Sequence, residues 1–121
     1  MRSADIDLAI EMHRSWLFRF REALQKNGSQ EIDVFVAADY RGCLFGQWLS
    51  GQKDLLEPAV WDQLNAQHIA FHLACGSIAK SLKEEMPASH IGAHIDRLER
   101  FSGLLCRVLE ELKGNANCTL A

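Results

Sequence analysis

Five histidines and four cysteines are the residues of this chain best suited to chemistry, and their spacing sorts them. His13 stands between Ile10 and Leu17. At 100° per residue this places it inside the apolar arc of a helix, where a surface histidine is out of place. His68 and His72 are four residues apart, at the edge of a stripe that holds Leu64, Phe71 and Cys75, so their rings share one side of a second helix. A single inward imidazole is ordinarily a partly buried side chain bonded to a backbone carbonyl. Three together need separate partners for every nitrogen, whereas one metal ion satisfies one nitrogen on each. Cys43 is the candidate fourth ligand, since it follows Asp39 into a short helix whose dipole would favour a thiolate. The plainer reading of Cys43 is a small buried apolar residue. His90 and His94 repeat the i, i+4 spacing on a later helix. His94 falls at the margin of the Ile91 and Leu98 arc and His90 further toward solvent, which makes them rim residues and alternative ligands.

The elements that must position these side chains read as helices. Ile6, Ile10, Leu17, Phe20 and Leu24 recur at three- and four-residue steps and predict a helix from Asp5 to Asn27, capped at Ser3 or Asp5 and ended by Asn27-Gly28. Ser29 to Ala38 includes the β-branched run IDVFVAA, but no second strand exists for it to pair with, so it reads as a connecting loop packed on the bundle. Asp39 reads as the N-cap of a short helix from Tyr40 to about Ser50 that Gly51 stops. Pro58 opens the longest helix, to about Glu85, with Val60, Leu64, Phe71, Cys75, Ile78 and Leu82 on one stripe. Met86-Pro87 breaks the chain. Ile91, Ile95, Leu98, Leu105, Leu109 and Leu112 then mark a last helix ending at Gly114-Asn115, before seven loose residues. The fold class is all-α: an antiparallel four-helix-type bundle of three long helices and one short helix carrying the cysteine, a single domain over residues 1–121.

Composition narrows the function. A 48% hydrophobic fraction, 24% charged residues and a length of 121 residues fit one folded domain. Thirteen basic against 16 acidic residues give a net charge of -3, without the basic surplus that duplex nucleic acid or an anionic membrane would attract. No apolar run approaches the roughly 20 residues of a membrane span, and MRSADIDLAIEMHR lacks the layout of a signal peptide, so the chain reads as cytoplasmic. The four cysteines form no CxxC pair and are expected to be mostly thiols.

Three separated segments, HRSW, CLFGQW and HIAFH, resemble the chemoreceptor zinc-binding domain family, CZB. The family pattern has HxxW on a first helix, Cx[LF]GxW on a short helix and HxxxH on a later one. His13 and Trp16, then Cys43, Leu44, Gly46 and Trp48 with Phe45 between, then His68 and His72 match it in that order. The resemblance spans about Asp5 to Leu112. It implies one zinc ion bound by His13, Cys43, His68 and His72, with Trp16 and Trp48 as packing residues and Gly46 permitting close helix approach. It also implies a regulatory module of chemoreceptors or of enzymes making cyclic diguanylate, and a homodimer, to which Leu104 and Val108 beside the main stripe would contribute. No signalling helix or cyclase domain is present in the sequence, so the chain is expected to act on a partner. A stand-alone protein and a piece of a longer one both fit, and the Met1 start and the tail NANCTLA lean toward the first.

Two other classes compete. A zinc enzyme needs an open coordination position and a base, yet HIAFH lacks the glutamate of HExxH and Cys43 would close the shell; Ser77 and Ser81 read as polar surface residues. A di-iron carrier needs inward Glu-x-x-His signatures, and neither Glu84 nor Glu110 leads to a histidine. Haem is compatible with histidine ligation. A zinc-held thiolate at Cys43 is also the ligand that an oxidant could alter, giving the module a second input.

Overall fold

A computed structural model describes residues 2–26 and 33–120, without the side chains of residues 25, 26 and 115–120. The described residues are all-α: α1 (Ser3–Lys26), α2 (Val34–Ala38), α3 (Leu44–Gly51), α4 (Pro58–Lys83) and α5 (Ala88–Leu120). No helix among them is long and apolar enough to cross a membrane.

Two ion pairs and one buried hydrogen bond set the direction of α1 against α5. Asp7 meets Lys113 and Arg21 meets Glu99, each at 2.8 Å, and His13 meets Ser102 at 2.9 Å. Rising numbers on α1 face falling numbers on α5, so the two run antiparallel. Both ion pairs are solvated and screened, so they add little and register rests on the apolar contacts. The largest helix-helix contact joins α4 and α5, which the short turn after Lys83 folds into an αα-hairpin.

That turn is built as a C-terminal cap. Glu85 takes φ 54°, and the amide of Met86 donates to the Ser81 carbonyl at 3.0 Å, closing the last turn of α4 before Pro87. The same closure buries Ser81, against the expectation that it is a surface residue. Ser77 is half-buried.

The core has two apolar clusters. Ile6, Ala9, Ile10, Phe45, Leu49, Leu64, Leu105 and Leu109 form one; Phe20, Ala37, Phe71, Ala74, Cys75, Ile78 and Leu98 form the other. Along α1 the change from one cluster to the other comes between Ile10 and Phe20, and along α4 between Leu64 and Phe71. His13 and His68 occupy those crossings.

Three boundaries differ from the sequence reading. The segment expected to be a loop contains α2, because Asp33 Oδ1 accepts the amides of Phe35 (2.8 Å) and Val36 (3.2 Å) and caps a helical turn that β-branched propensity alone disfavours. Asp39 is not the N-cap of the next helix; it closes α2 instead, its amide donating to the Val36 carbonyl at 3.2 Å. Its Oδ1 accepts the amides of Arg41 and Gly42, both at 3.1 Å, forming a turn, and α3 starts only at Leu44. Finally, α5 continues past Gly114 to Leu120, since a glycine inside a helix costs only about 1 kcal/mol and is no stop signal unless the chain turns there. The expected end of the first helix at Asn27-Gly28 lies outside the described residues.

Candidate metal centre

The turn after Asp39 puts Cys43 at the N-cap of α3 rather than in its first turn. Its Sγ accepts the Gly46 amide at 3.2 Å, the place a serine or aspartate oxygen would take at an ordinary helix start. Gly46 is required at this close approach: a Cβ there would overlap the Tyr40 carbonyl oxygen and come within 3.0 Å of His68 Cε1. Trp61 on α4 donates its Nε1 hydrogen to the Leu49 carbonyl at 2.8 Å and fixes α3 to α4. The sulfur is thereby held over the middle of α4, where His68 Nε2 stands 3.1 Å away.

Cys43, His68 and His72 are all buried, and the ligand atoms they offer lie within 4.8 Å of one another. His72 is oriented from outside the cluster, with Nδ1 donating to the Ala37 carbonyl of α2 at 2.9 Å, which leaves Nε2 as the lone-pair nitrogen. A backbone carbonyl behind the non-ligating nitrogen is the usual support of a metal-binding histidine. Trp16 closes the other side, its ring 4.6 Å from that of His72. Both histidines are more deeply buried than the edge-of-stripe position expected of them, at 1% exposure.

His13 does not join the three. It is buried beside them, 4.6 Å from the Phe71 ring, with Nε2 2.9 Å from Ser102 Oγ. Ser102 went unrecognised in the sequence, although a serine in the apolar stripe between Leu98 and Leu105 is a visible irregularity. His90 and His94 lie apart on α5, His90 exposed and His94 half-buried, as their angular positions predicted.

Burial sets the charge of the cluster. It pushes His13 down to about 4 and His68 down to about 3, with neighbouring histidines adding to the effect, and it lowers His72 against the opposing pull of its Ala37 bond. All three imidazoles are therefore neutral near pH 7, the form that binds metal. Burial also raises the Cys43 thiol and outweighs the amide bonds that lower it. This corrects the expectation of a depressed thiol: desolvation at the packed helix start exceeds the field of so short a helix, so the thiolate forms only when a cation replaces the proton.

One sulfur and neighbouring neutral imidazole nitrogens, with no carboxylate among them, suit tetrahedral zinc better than calcium or magnesium. The sequence model of the family described as the chemoreceptor zinc-binding domain, CZB, matches residues 13–79. The chain belongs to the CZB family. The matched span opens at His13, includes Cys43, His68 and His72, and ends before α5. No curated protein and no solved structure matched the chain. CZB domains are regulatory zinc-binding domains, and Cys43, His68 and His72 form the group in this member that could hold the metal.

Proposed function

We propose that this CZB domain is a zinc-responsive regulatory module, in which His13, Cys43, His68 and His72 hold one zinc ion and occupancy is passed to a signalling partner. The observation that carries this reading is the convergence of Cys43 from α3 with His68 and His72 from α4. His13 completes the set from α1: with Nε2 engaged by Ser102, Nδ1 is its nitrogen open to a metal. Zinc supplies a cross-link between helices here rather than an activated water, because four protein ligands leave no open position. Loss of the link frees α1 and α3 to repack against α4, the kind of two-packing element that serves as a switch. The partner is a chemoreceptor or a cyclase making cyclic diguanylate, in the cytoplasm. Oxidation of Cys43 is a second input: a peroxide-class oxidant transfers one oxygen to the thiolate to give a sulfenic acid and leaves as hydroxide or alkoxide, a reading supported by a cavity of about 270 Å³ whose lining includes Trp16, Arg19, Asp39 and Cys43. It is read as zinc released when Cys43 is the cysteine oxidised.

Protein purified without chelator is expected to carry about one zinc per chain by elemental analysis. Iron in its place, or a metal content near zero, would count against the assignment.

The module is also proposed to be a homodimer. Val108 is buried within the chain and is not available for this, but Leu8 and Phe18 of α1 and Phe35, Val36 and Leu44 remain exposed. Light scattering is expected to return twice the chain mass at tens of micromolar, and a monomer with and without zinc would contradict it.

A further inference from the structure

The pair His90 and His94 has no role in the cluster around Cys43, yet its geometry is specific. The two imidazoles are one turn apart in the first turns of α5, their Nε2 atoms 3.3 Å from each other and their ring planes at 81°. Two nitrogens bound to one tetrahedral zinc, each at about 2.0–2.1 Å, stand about 3.3 Å apart. The nitrogens thus already sit at the separation that a shared ion requires.

We propose that His90 and His94 form a second, weaker site for a divalent transition-metal ion, bound by the two Nε2 atoms with water in the remaining positions. The nitrogens meet only because the chain is helical there, so the ion and the helix stabilise one another. His90 belongs to the opening turn of α5, where its amide and that of Ile91 both rest on the Pro87 carbonyl, at 3.0 and 3.2 Å. An ion bridging His90 to His94 staples this start to the following turn, at a helix beginning just after the break at Met86-Pro87. Proximity of the two rings also makes His94 harder to protonate, after a larger effect of partial burial, which keeps it available as a ligand near neutral pH. Imidazole pairs favour copper, nickel and zinc over the oxygen-seeking magnesium and calcium.

Calorimetric titration of Zn²⁺ into protein that already carries its purified complement of zinc tests this. Wild type is expected to take up one further ion per chain, unaffected by excess Mg²⁺, and hydrogen exchange at residues 88–94 is expected to slow as it binds. His90→Gln and His94→Gln should each abolish that uptake while the zinc carried from purification is unchanged. The readout is the difference between wild type and variant, so it does not depend on how many tighter ions the chain holds. Absence of further uptake in wild type, or uptake undiminished in both variants, would overturn the proposal.

Discussion

Gly46→Ala is expected to destabilise the protein by about 3 kcal/mol, where the same change in an open helix would stabilise it by about 1 kcal/mol. The opposite sign arises because the added methyl overlaps the Tyr40 carbonyl oxygen and crowds His68 Cε1, neither of which can move without shifting the start of α3 or the ring of a buried histidine. The strain falls on the sulfur as well, since the Gly46 amide is the donor to Cys43 Sγ. Denaturant unfolding and zinc content should therefore fall together. Gly51→Ala is the control, because a Cβ at Gly51 meets nothing within 4 Å. If Gly46→Ala were as stable as wild type with zinc intact, the close approach of Gly46 to the Tyr40 turn and to His68 would not be what positions Cys43.

The second large effect is expected at His72. Replacing it by alanine removes a proposed ligand, breaks the bond to the Ala37 carbonyl that ties α2 to α4, and opens a void at a position only 1% exposed. Large-to-small changes at such sites cost about 2–5 kcal/mol before any metal is counted. Zinc adds to this: an ion present at a thousand times its dissociation constant stabilises the folded state by about 4 kcal/mol. Thermal unfolding should show a chelator lowering the midpoint of wild type and leaving His72→Ala unmoved. His90→Ala, on the exposed face of α5, should unfold with wild-type stability, within about 0.5 kcal/mol, when no metal is added. A larger loss at His90 than at His72 would mean that the structural zinc belongs to the other pair.

Much of this site was legible in the sequence because helical periodicity speaks directly to which face a residue occupies. The inward placing of His13, the shared side of His68 and His72 and the outward lean of His90 all come from 100° per residue, and the structure agrees on each. The supports of the site are less visible. The carbonyl of Ala37 and the hydroxyl of Ser102 are 35 and 89 residues from the histidines they orient, a separation that no local pattern encodes. α2 is hidden because its start depends on one aspartate accepting two amides, which outweighs a β-branched composition. The Asp39 turn is hidden for a related reason: an aspartate caps a turn and a helix with the same hydrogen bonds, and the path taken by the next few residues decides between them. Burial, too, is a property of the folded packing, so the rise of the Cys43 thiol could not be anticipated from the helix start alone.

The central claim is a zinc ion held by one sulfur and three histidine nitrogens of a single chain, and X-ray absorption at the zinc edge measures that shell directly. The expected spectrum has one sulfur at about 2.3 Å and three nitrogens at about 2.0 Å, with outer-shell scattering from three imidazole rings. In Ser102→Ala the shell should be the same but more disordered, because the hydroxyl only orients the His13 ring. Two sulfurs, which would bring in the buried Cys75, or two imidazoles with a water oxygen in place of His13, would contradict it. The second of these outcomes would also reopen the coordination position on which the case for a regulatory rather than catalytic zinc depends.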